Sequence, residues 1–326
     1  MKDPIQKIAD EIYQISIPLS FRLKHVNIFA ALQGRRITLF DTGPNLPTTF
    51  PVLEESLKSI GRSVADIDRI FITHSHPDHC GIAGRIQEIS GADIQMSEIE
   101  YETFKQLSQD NHRQELVRTF CHQHGLDGET IHAFGGFMRA FKDITYPFRV
   151  DHFLTGEEPL TVGRRIIKVL PTPGHTRGHV CFLFPEEKIL LAGDNILPHI
   201  TPNLSPDLST PSFRPLQSYI ASLERIEDLR VTSVFPAHGS PFKNLKGRVE
   251  EIKEHHRRRK ELALNALAKQ QKTACEVSID IFGNNLPAFD RVLALNETYV
   301  HLVELEKELS ITQYMQGEVI VFEGIG

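Results

Sequence analysis

From residue 11 onward, apolar and polar positions alternate in short runs. Val26 to Leu32 and Arg36 to Phe40 read as two strands, and Gln33-Gly34-Arg35 between them suits a tight hairpin. The second run ends at Asp41-Thr42-Gly43-Pro44. From Pro51 the period lengthens. Val52, Leu53, Leu57 and Ile60 share one face of a predicted helix, which Gly61 stops. Arg69 to Ile72 then reads as a buried strand, and Gly81 with Ile82 to Ile89 as the next helix. Between them stands Thr73-His74-Ser75-His76-Pro77-Asp78-His79-Cys80.

The order recurs. Ser56-Leu57-Lys58-Ser59-Ile60 precedes a strand and then His74, as Ser222-Leu223-Glu224-Arg225-Ile226 precedes Val231 to Phe235 and then His238. Thr38-Leu39-Phe40-Asp41 has a counterpart in Leu190-Leu191-Ala192-Gly193-Asp194, again a strand ending in Asp. Two halves with one order suggest a duplicated unit, satisfied by two sheets face to face with helices outside. Between the halves, residues 98–150 are mostly helical and carry Phe104, Phe120, Phe134, Phe137, Phe141, Tyr146 and Phe148 with the pair Gly135-Gly136. A hairpin pattern surrounds Leu160 to Arg165. The strand Ile166 to Leu170 then runs into Pro171-Thr172-Pro173-Gly174-His175-Thr176-Arg177-Gly178-His179. Residues 198–215 hold five prolines and are expected to form an irregular loop.

From about residue 245 the pattern changes. A basic helical run, Gly247 to Lys272, leads to a short helix starting near Thr273-Ala274-Cys275-Glu276. A third helix, Ala288 to Leu309, is followed by a hairpin around Gln316-Gly317. Three helices and a hairpin predict a winged-helix-like domain over 245–326, behind a first domain over 1–244 in which 98–150 is an insertion or lid. Such tails often bind DNA, but Glu297, Glu304, Glu306 and Glu308 on the third helix would repel phosphate, so a packing or dimerisation role is expected. His255-His256-Arg257-Arg258-Arg259-Lys260 is read as a solvated helix face.

Composition narrows the class. A chain of 326 residues, 40% hydrophobic and 24% charged, has the means for a sizeable globular core. A net charge of −6 implies no broad basic surface, so nucleic acid is not the expected partner. Cys80, Cys121, Cys181 and Cys275 show no paired spacing and fit reduced thiols. With no secretory signal pattern and no run of ~20 apolar residues, a cytoplasmic protein without membrane spans is expected.

Chemistry concentrates in His74, His76, Asp78, His79, His175, Asp194 and His238. The last three each follow a predicted strand. Extended backbone lets His74 and His76 aim at one point with His175, giving a three-imidazole site. Asp78, His79 and His238 would give a second, and Asp194 has two oxygens with which to bridge them. Such ligands suit two Zn2+ ions, with Fe or Mn as alternatives. Two cations ~3.5–4 Å apart can share a water and make hydroxide near neutral pH.

This set resembles the metallo-β-lactamase fold superfamily, whose signature His-x-His-x-Asp-His is followed by a distant His, Asp and His. The match covers roughly residues 10–242. The resemblance implies an αββα sandwich with the binuclear site at one edge. It implies a supporting role for Asp41, an orienting role for His179, and for Asp78 both metal binding and handling of the nucleophile's proton. The tail is similar to that of the lactamase-β-2-like branch, and Gly174-His175-Thr176 to glyoxalase II, although no glutathione-binding pattern follows Asp194.

The expected activity is hydrolysis of an ester-type bond, a thioester or a lactone, in a small acyl substrate by a metal-bridging hydroxide, in a protein that could dimerise through its tail. The alternatives are a single-strand endoribonuclease of the lactamase-β-2-like type and a mononuclear iron persulfide dioxygenase. Phe134, Phe137 and Phe141 lie on one helix face. They are expected to pack the insertion onto the sandwich or, with His199, to line an acyl pocket.

Overall fold

The computed structural model describes residues 4–19, 23–109, 111–156 and 159–325. The alternating runs build one sheet from β1 (Ile5–Ala9), β2 (Ile12–Pro18), β3 (His25–Gln33), β4 (Arg36–Phe40), β5 (Ile67–Phe71), β6 (Asp93–Met96) and β7 (His152–Phe153), in chain order. Neighbours are antiparallel as far as β4 and parallel beyond it. The second sheet runs β8 (Pro159–Val162), β9 (Arg165–Pro171), β10 (Val180–Phe184), β11 (Ile189–Gly193) and β12 (Ser233–Pro236), antiparallel except for the last pair.

The helices of the first half are α1 (Thr49–Ser59), α2 (Pro77–Cys80), α3 (Ala83–Ser90) and α4 (Glu98–Gln109). The insertion continues with α5 (Asn111–Gln123) and α6 (Gly128–Asp143). Then come α7 (Pro215–Ile226), α8 (Leu245–Ala266), α9 (Ala274–Phe282) and α10 (Ala288–Lys307). The two sheets share a β–α–β crossover of the same order: β4–α1–β5 in the first, β11–α7–β12 in the second. The recurrence in the sequence is thus a recurrence of topology. It brings Asp41 and Asp194, and His74 and His238, to equivalent strand ends.

Three apolar layers follow from which residue of each strand faces which way. Between the sheets Phe40, Phe71, Phe182 and Phe184 form a ring cluster with centroids 5.0–5.6 Å apart. The outer face of the first sheet buries Leu39 and Ile70 against Leu53, Leu57 and Ile86 of α1 and α3. The outer face of the second buries Leu190 and Val234 against Tyr219, Leu223 and Val249 of α7 and α8. The order is helix, sheet, sheet, helix, an αββα sandwich.

The insertion departs from expectation. Of the insertion, α4 and the segment 144–150 pack on the sandwich, where Phe104 meets Phe148 at 4.3 Å and Tyr146 N donates to the Gly81 carbonyl. Phe120, Cys121 and Phe134 of α5 and α6 instead share a core with Leu267, Cys275, Leu295 and Phe322. The physical reason is size. The C-terminal helices and the small sheet of β13 (Lys272–Thr273), β14 (Ile311–Gln316) and β15 (Val319–Gly324) form a small unit that buries a correspondingly small share of its surface by itself. The insertion supplies the missing cover. Nor does residue 245 mark a break in packing, since Leu245, Val249 and Ile252 of α8 lie in the second sheet's outer core. Among the described residues no helix is long and apolar enough to cross a membrane.

Candidate metal centre

β5 ends at Phe71, and Thr73 to His76 follow outside helix and strand, tied in by Val180 N to the Thr73 carbonyl and Cys80 N to the His76 carbonyl, both at 3.1 Å. His76 keeps an extended backbone, φ −65° and ψ 143°, and Pro77 then starts α2. Proline at the first helical position carries the helical φ already and needs no donor. The switch from extended to helical backbone aims His74 and His76 at one point and turns Asp78 and His79 toward another. His175 arrives from the loop after β9, Asp194 just past β11 and His238 just past β12. All these strand ends lie at one edge of the sandwich.

Two groups of ligand atoms result, one of His74, His76, His175 and Asp194, the other of Asp78, His79 and His238. In the first, His76 Nδ1 stands 2.9 Å from His74 Nε2 and 3.1 Å from His175 Nε2, and Asp194 Oδ2 lies 3.6 Å from His175 Nε2. In the second, Asp78 Oδ2 is 3.2 Å from His238 Nε2 and 3.8 Å from His79 Nε2. Asp194 stands between the groups, with Oδ2 3.6 Å from His79 Nε2 and Oδ1 3.5 Å from His238 Nε2. A tetrahedral ion with bonds of 2.0–2.1 Å separates its ligands by about 3.3 Å, and these distances scatter around that edge. Among the described residues, His79 Nε2, His238 Nε2 and Asp194 Oδ1 are buried without a hydrogen-bond partner. Leaving polar atoms so costs about 1–3 kcal/mol each. The residues therefore fit divalent cations.

The far side of each ring fixes which nitrogen faces inward. His175 Nδ1 donates to the Asn203 carbonyl at 2.9 Å and His238 Nδ1 to the His25 carbonyl at 2.8 Å, which in the neutral ring leaves Nε2 as a lone pair. His79 Nδ1 donates to Asp41 Oδ2 at 2.8 Å. Thr73 Oγ1 also donates to Asp41 Oδ2 at 2.8 Å, so its own oxygen is left to accept from His74 Nδ1 at 3.0 Å. Asp41 Oδ1 receives the Thr73 backbone N–H at 2.8 Å. One carboxylate thereby orients a histidine of each group. Asp41 holds this position at φ +60°, a left-handed conformation costly for a residue with a Cβ.

Two further residues hold the loops together. Glu100 of α4, 1% exposed, accepts from Ser75 N at 2.8 Å, Ser75 Oγ at 2.7 Å and Gly178 N at 2.8 Å. It clasps the His74–His76 segment to the His175–His179 segment. A Cβ on Gly178 would sit 2.9 Å from Glu100 Cγ, so the approach requires glycine. Sequence reasoning missed Glu100. Its only local signal is a Glu in the first turn of a helix, which is common on surfaces. His179 offers no atom to either group. Its Nδ1 pairs with Thr172 Oγ1 at 2.8 Å, and its Nε2 accepts the Asp194 backbone N–H at 3.1 Å. Gly193 makes room for it, at φ +51° and with a hypothetical Cβ only 2.6 Å from His179 Nε2.

Electrostatics separates the groups. Burial, with the neighbouring rings, holds His74 well below the ordinary histidine range and His76 down to about 3, so both stay neutral and able to donate lone pairs. Burial also opposes charge on His79 and His238. There it is outweighed by Asp194 and Asp78, joined by Asp41 at His79, and both are raised. Burial works to raise Asp78, but His79 and His238 together hold it below its usual range, and it is ionised at neutral pH.

The remaining predicted residues lie elsewhere. Phe134 stacks on Phe289 of α10 and Phe137 meets it edge-on, with centroids 5.8 and 5.6 Å away, so they join the insertion to the C-terminal unit and not to the sandwich. The Phe141 side chain is outside the described residues. His199 is exposed. Arg177 is held by Asp207 at 3.4 Å and Thr210 at 2.7 Å. Cys80 is fully buried and directs Sγ at the Ser75 carbonyl, 3.4 Å away. The basic run on α8 is paired within the chain. Arg257 and Arg258 meet Glu254, Arg259 meets Glu297, and Lys260 meets Glu308.

Comparison with known proteins agrees with this geometry. Residues 22–238 match the profile of the Metallo-beta-lactamase superfamily. The chain is 28% identical to the probable metallo-hydrolase YqjP of Bacillus subtilis over 97% of its length and 98% of that protein's. It is 24% identical to an atrochrysone carboxyl ACP thioesterase of Claviceps purpurea, over 85% of this chain and 73% of the other. A metallo-beta-lactamase family protein from Thermus thermophilus superposes with a TM-score of 0.86 at 28% identity, covering 98% of this chain and all of that one.

Proposed function

The chain belongs to the metallo-beta-lactamase superfamily, and on that premise we propose that it is a binuclear metal-dependent hydrolase of a thioester or lactone in a small acyl substrate. The observation that carries the reading is the pair of ligand groups joined by Asp194, with three buried ligand atoms that have no hydrogen-bond partner among the described residues. His74, His76 and His175 would hold one cation, Asp78, His79 and His238 the other, and Asp194 both. Zinc is the ion best suited to this imidazole and carboxylate set. When bound, such cations lower the pKa of a water and polarise a carbonyl.

The chain's own groups supply the rest. Asp78 is the most exposed carboxylate of the set, its side chain 25% accessible against 9% for Asp194. Ionised and partly accessible, it can orient an attacking water and accept its proton. Asp41, Thr73 and Glu100 keep the rings from turning when substrate enters. The ester-type bond is supported by the thioesterase relative and by a centre that needs no Ser or Cys nucleophile. A small substrate is favoured over RNA because Arg257 to Lys260 are engaged with Glu254, Glu297 and Glu308. The four buried free cysteines support a reducing, cytoplasmic setting.

The test is metal content by plasma emission on protein purified without chelator, with turnover of a thioester, a lactone and a labelled RNA. Two zinc per chain with ester-class turnover, lost in His76→Ala and in Asp78→Asn, is the expected result. A single iron with oxygen consumed on a persulfide would overturn the hydrolase reading, and RNA cleavage abolished by Asp78→Asn would replace the substrate class.

A further inference from the structure

His175 does not lean on its own sheet. Its Nδ1 bonds the backbone carbonyl of Asn203, in the proline-rich loop between β11 and α7. The Asn203 side chain reaches away from the metal centre. Its Nδ2 donates to the Leu293 carbonyl of α10 at 3.1 Å, and its Oδ1 accepts from Ser205 Oγ at 2.9 Å. Ser205 Oγ in turn accepts from Asn296 Nδ2 of α10 at 3.2 Å. A peptide carbonyl inside a helix ordinarily accepts from the N–H four residues on, but it has two lone pairs, so Leu293 can serve both partners.

The start of the same loop is held by α8. Arg248 donates to the carbonyls of Leu197 and Ile200, both at 2.8 Å. Thr201 Oγ1 lies 3.4 Å from His255 Nε2. The segment 197–205 carries the partner of one candidate ligand, begins three residues after another, and takes side-chain anchors from α8, which packs on the second sheet, and from α10 of the C-terminal unit.

We infer that Asn203 is a positioning residue, and that through it α10 sets the orientation of His175, so that the C-terminal unit is a structural part of the metal centre. The bond from His175 is to a main-chain oxygen, which every residue at 203 would offer. What asparagine adds is the side chain that fixes where that oxygen stands. Groups behind a metal-bound histidine typically change metal affinity by about 10–100-fold, and a tether one step further back falls at the lower end of that range. The inference rests on the metal-centre reading, but not on the identity of the substrate.

The experiment uses the full chain loaded with cobalt(II), as wild type, Asn203→Ala, Asn203→Asp and Asn296→Ala. Metal retained against graded chelator and the visible cobalt spectrum are read for each. Asn203→Ala is expected to release one equivalent at about tenfold lower chelator concentration, with an altered spectrum. Asn203→Asp, which keeps the acceptor for Ser205 but loses the donor to Leu293, is expected to follow it. Asn296→Ala should shift in the same direction by less. Retention and spectrum unchanged in all three variants would overturn the inference. Should the changes at 203 prevent folding, Asn296→Ala decides, because Asn296 touches no ligand and a wild-type response from it would overturn the tether. A wild-type chain that takes up no cation would overturn the metal-centre reading as well, and is recognised because the failure then appears before any substitution.

Discussion

The Asp41 carboxylate receives bonds from Thr73 N, Thr73 Oγ1 and His79 Nδ1, and through Thr73 it also orients His74. Changing Asp41 to Asn replaces one acceptor oxygen by an amide that must face a donor. We expect metal affinity to fall by about 10–100-fold in Asp41→Asn, measured by chelator competition, and unchanged affinity would remove Asp41 from this role. Glu100 does similar work for loops instead of rings. A hydrogen bond to a buried charge contributes about 1.5–3 kcal/mol, and Glu100→Gln turns at least one of its three into a clash of donors. Urea unfolding of Glu100→Gln should show a loss of about 2 kcal/mol, together with easier metal release. A stability loss without any change in metal release would reduce Glu100 to an ordinary buried carboxylate. Asp41 was legible as a strand-end acid that the family resemblance singles out. Glu100 was not. Nothing local distinguishes a carboxylate that faces water from one that two loops will enclose, the farther of them 78 residues away.

At the scale of elements, α6 is the odd member. It carries Gly135 and Gly136 in mid-helix, where glycine costs about 1 kcal/mol relative to alanine. No close approach requires them, since a Cβ at Gly135 would find its nearest neighbour, Arg139, at 3.7 Å, and one at Gly136 at 4.0 Å. Gly136→Ala is therefore expected to stabilise the protein by up to about 1 kcal/mol, read as a shift in denaturant midpoint. A loss of stability would mean that α6 leaves a regular helix at this point. α9 is the opposite case, since its start is written in full. Thr273 accepts from the Glu276 N–H at 3.2 Å and Glu276 accepts from the Thr273 N–H at 2.7 Å, a capping box. That pattern was readable as Thr273-Ala274-Cys275-Glu276. The partner of α6 was not readable, because an apolar helix face specifies that it must be covered and not by what.

For the whole molecule, buried histidines make stability depend on pH. His124, among the rings of Phe120, Tyr299 and Phe322, is pushed down to about 4 by burial, and His301 likewise to about 4. Both are neutral in the fold but take a proton near pH 6.5 when unfolded. Below about pH 6.5 the unfolded state binds more protons, so stability falls with pH until about pH 4, where the folded state is protonated too. The slope is about 1.4 kcal/mol per pH unit for each, or about 3 kcal/mol over the window. His124→Leu should lose less stability than wild type between about pH 7 and 5 in urea titrations, and equal losses would show that His124 is protonated in the fold. The sequence by itself singled out the candidate metal-binding residues, the strand–Asp–helix–strand–His order of both halves and hence the sandwich. Each of these is carried by neighbouring residues, through backbone period, turn chemistry and donor type. Only the tertiary structure decided that α5 and α6 belong with α10, that Glu100 clasps two ligand loops, and that His175 is steadied through Asn203 from α10. The bonds that make these pairings, Glu100 to Gly178, Asn203 to Leu293 and Thr130 to Arg291, span 78, 90 and 161 positions. Such contacts are selected by which buried faces and unpaired polar groups remain once the local elements have formed.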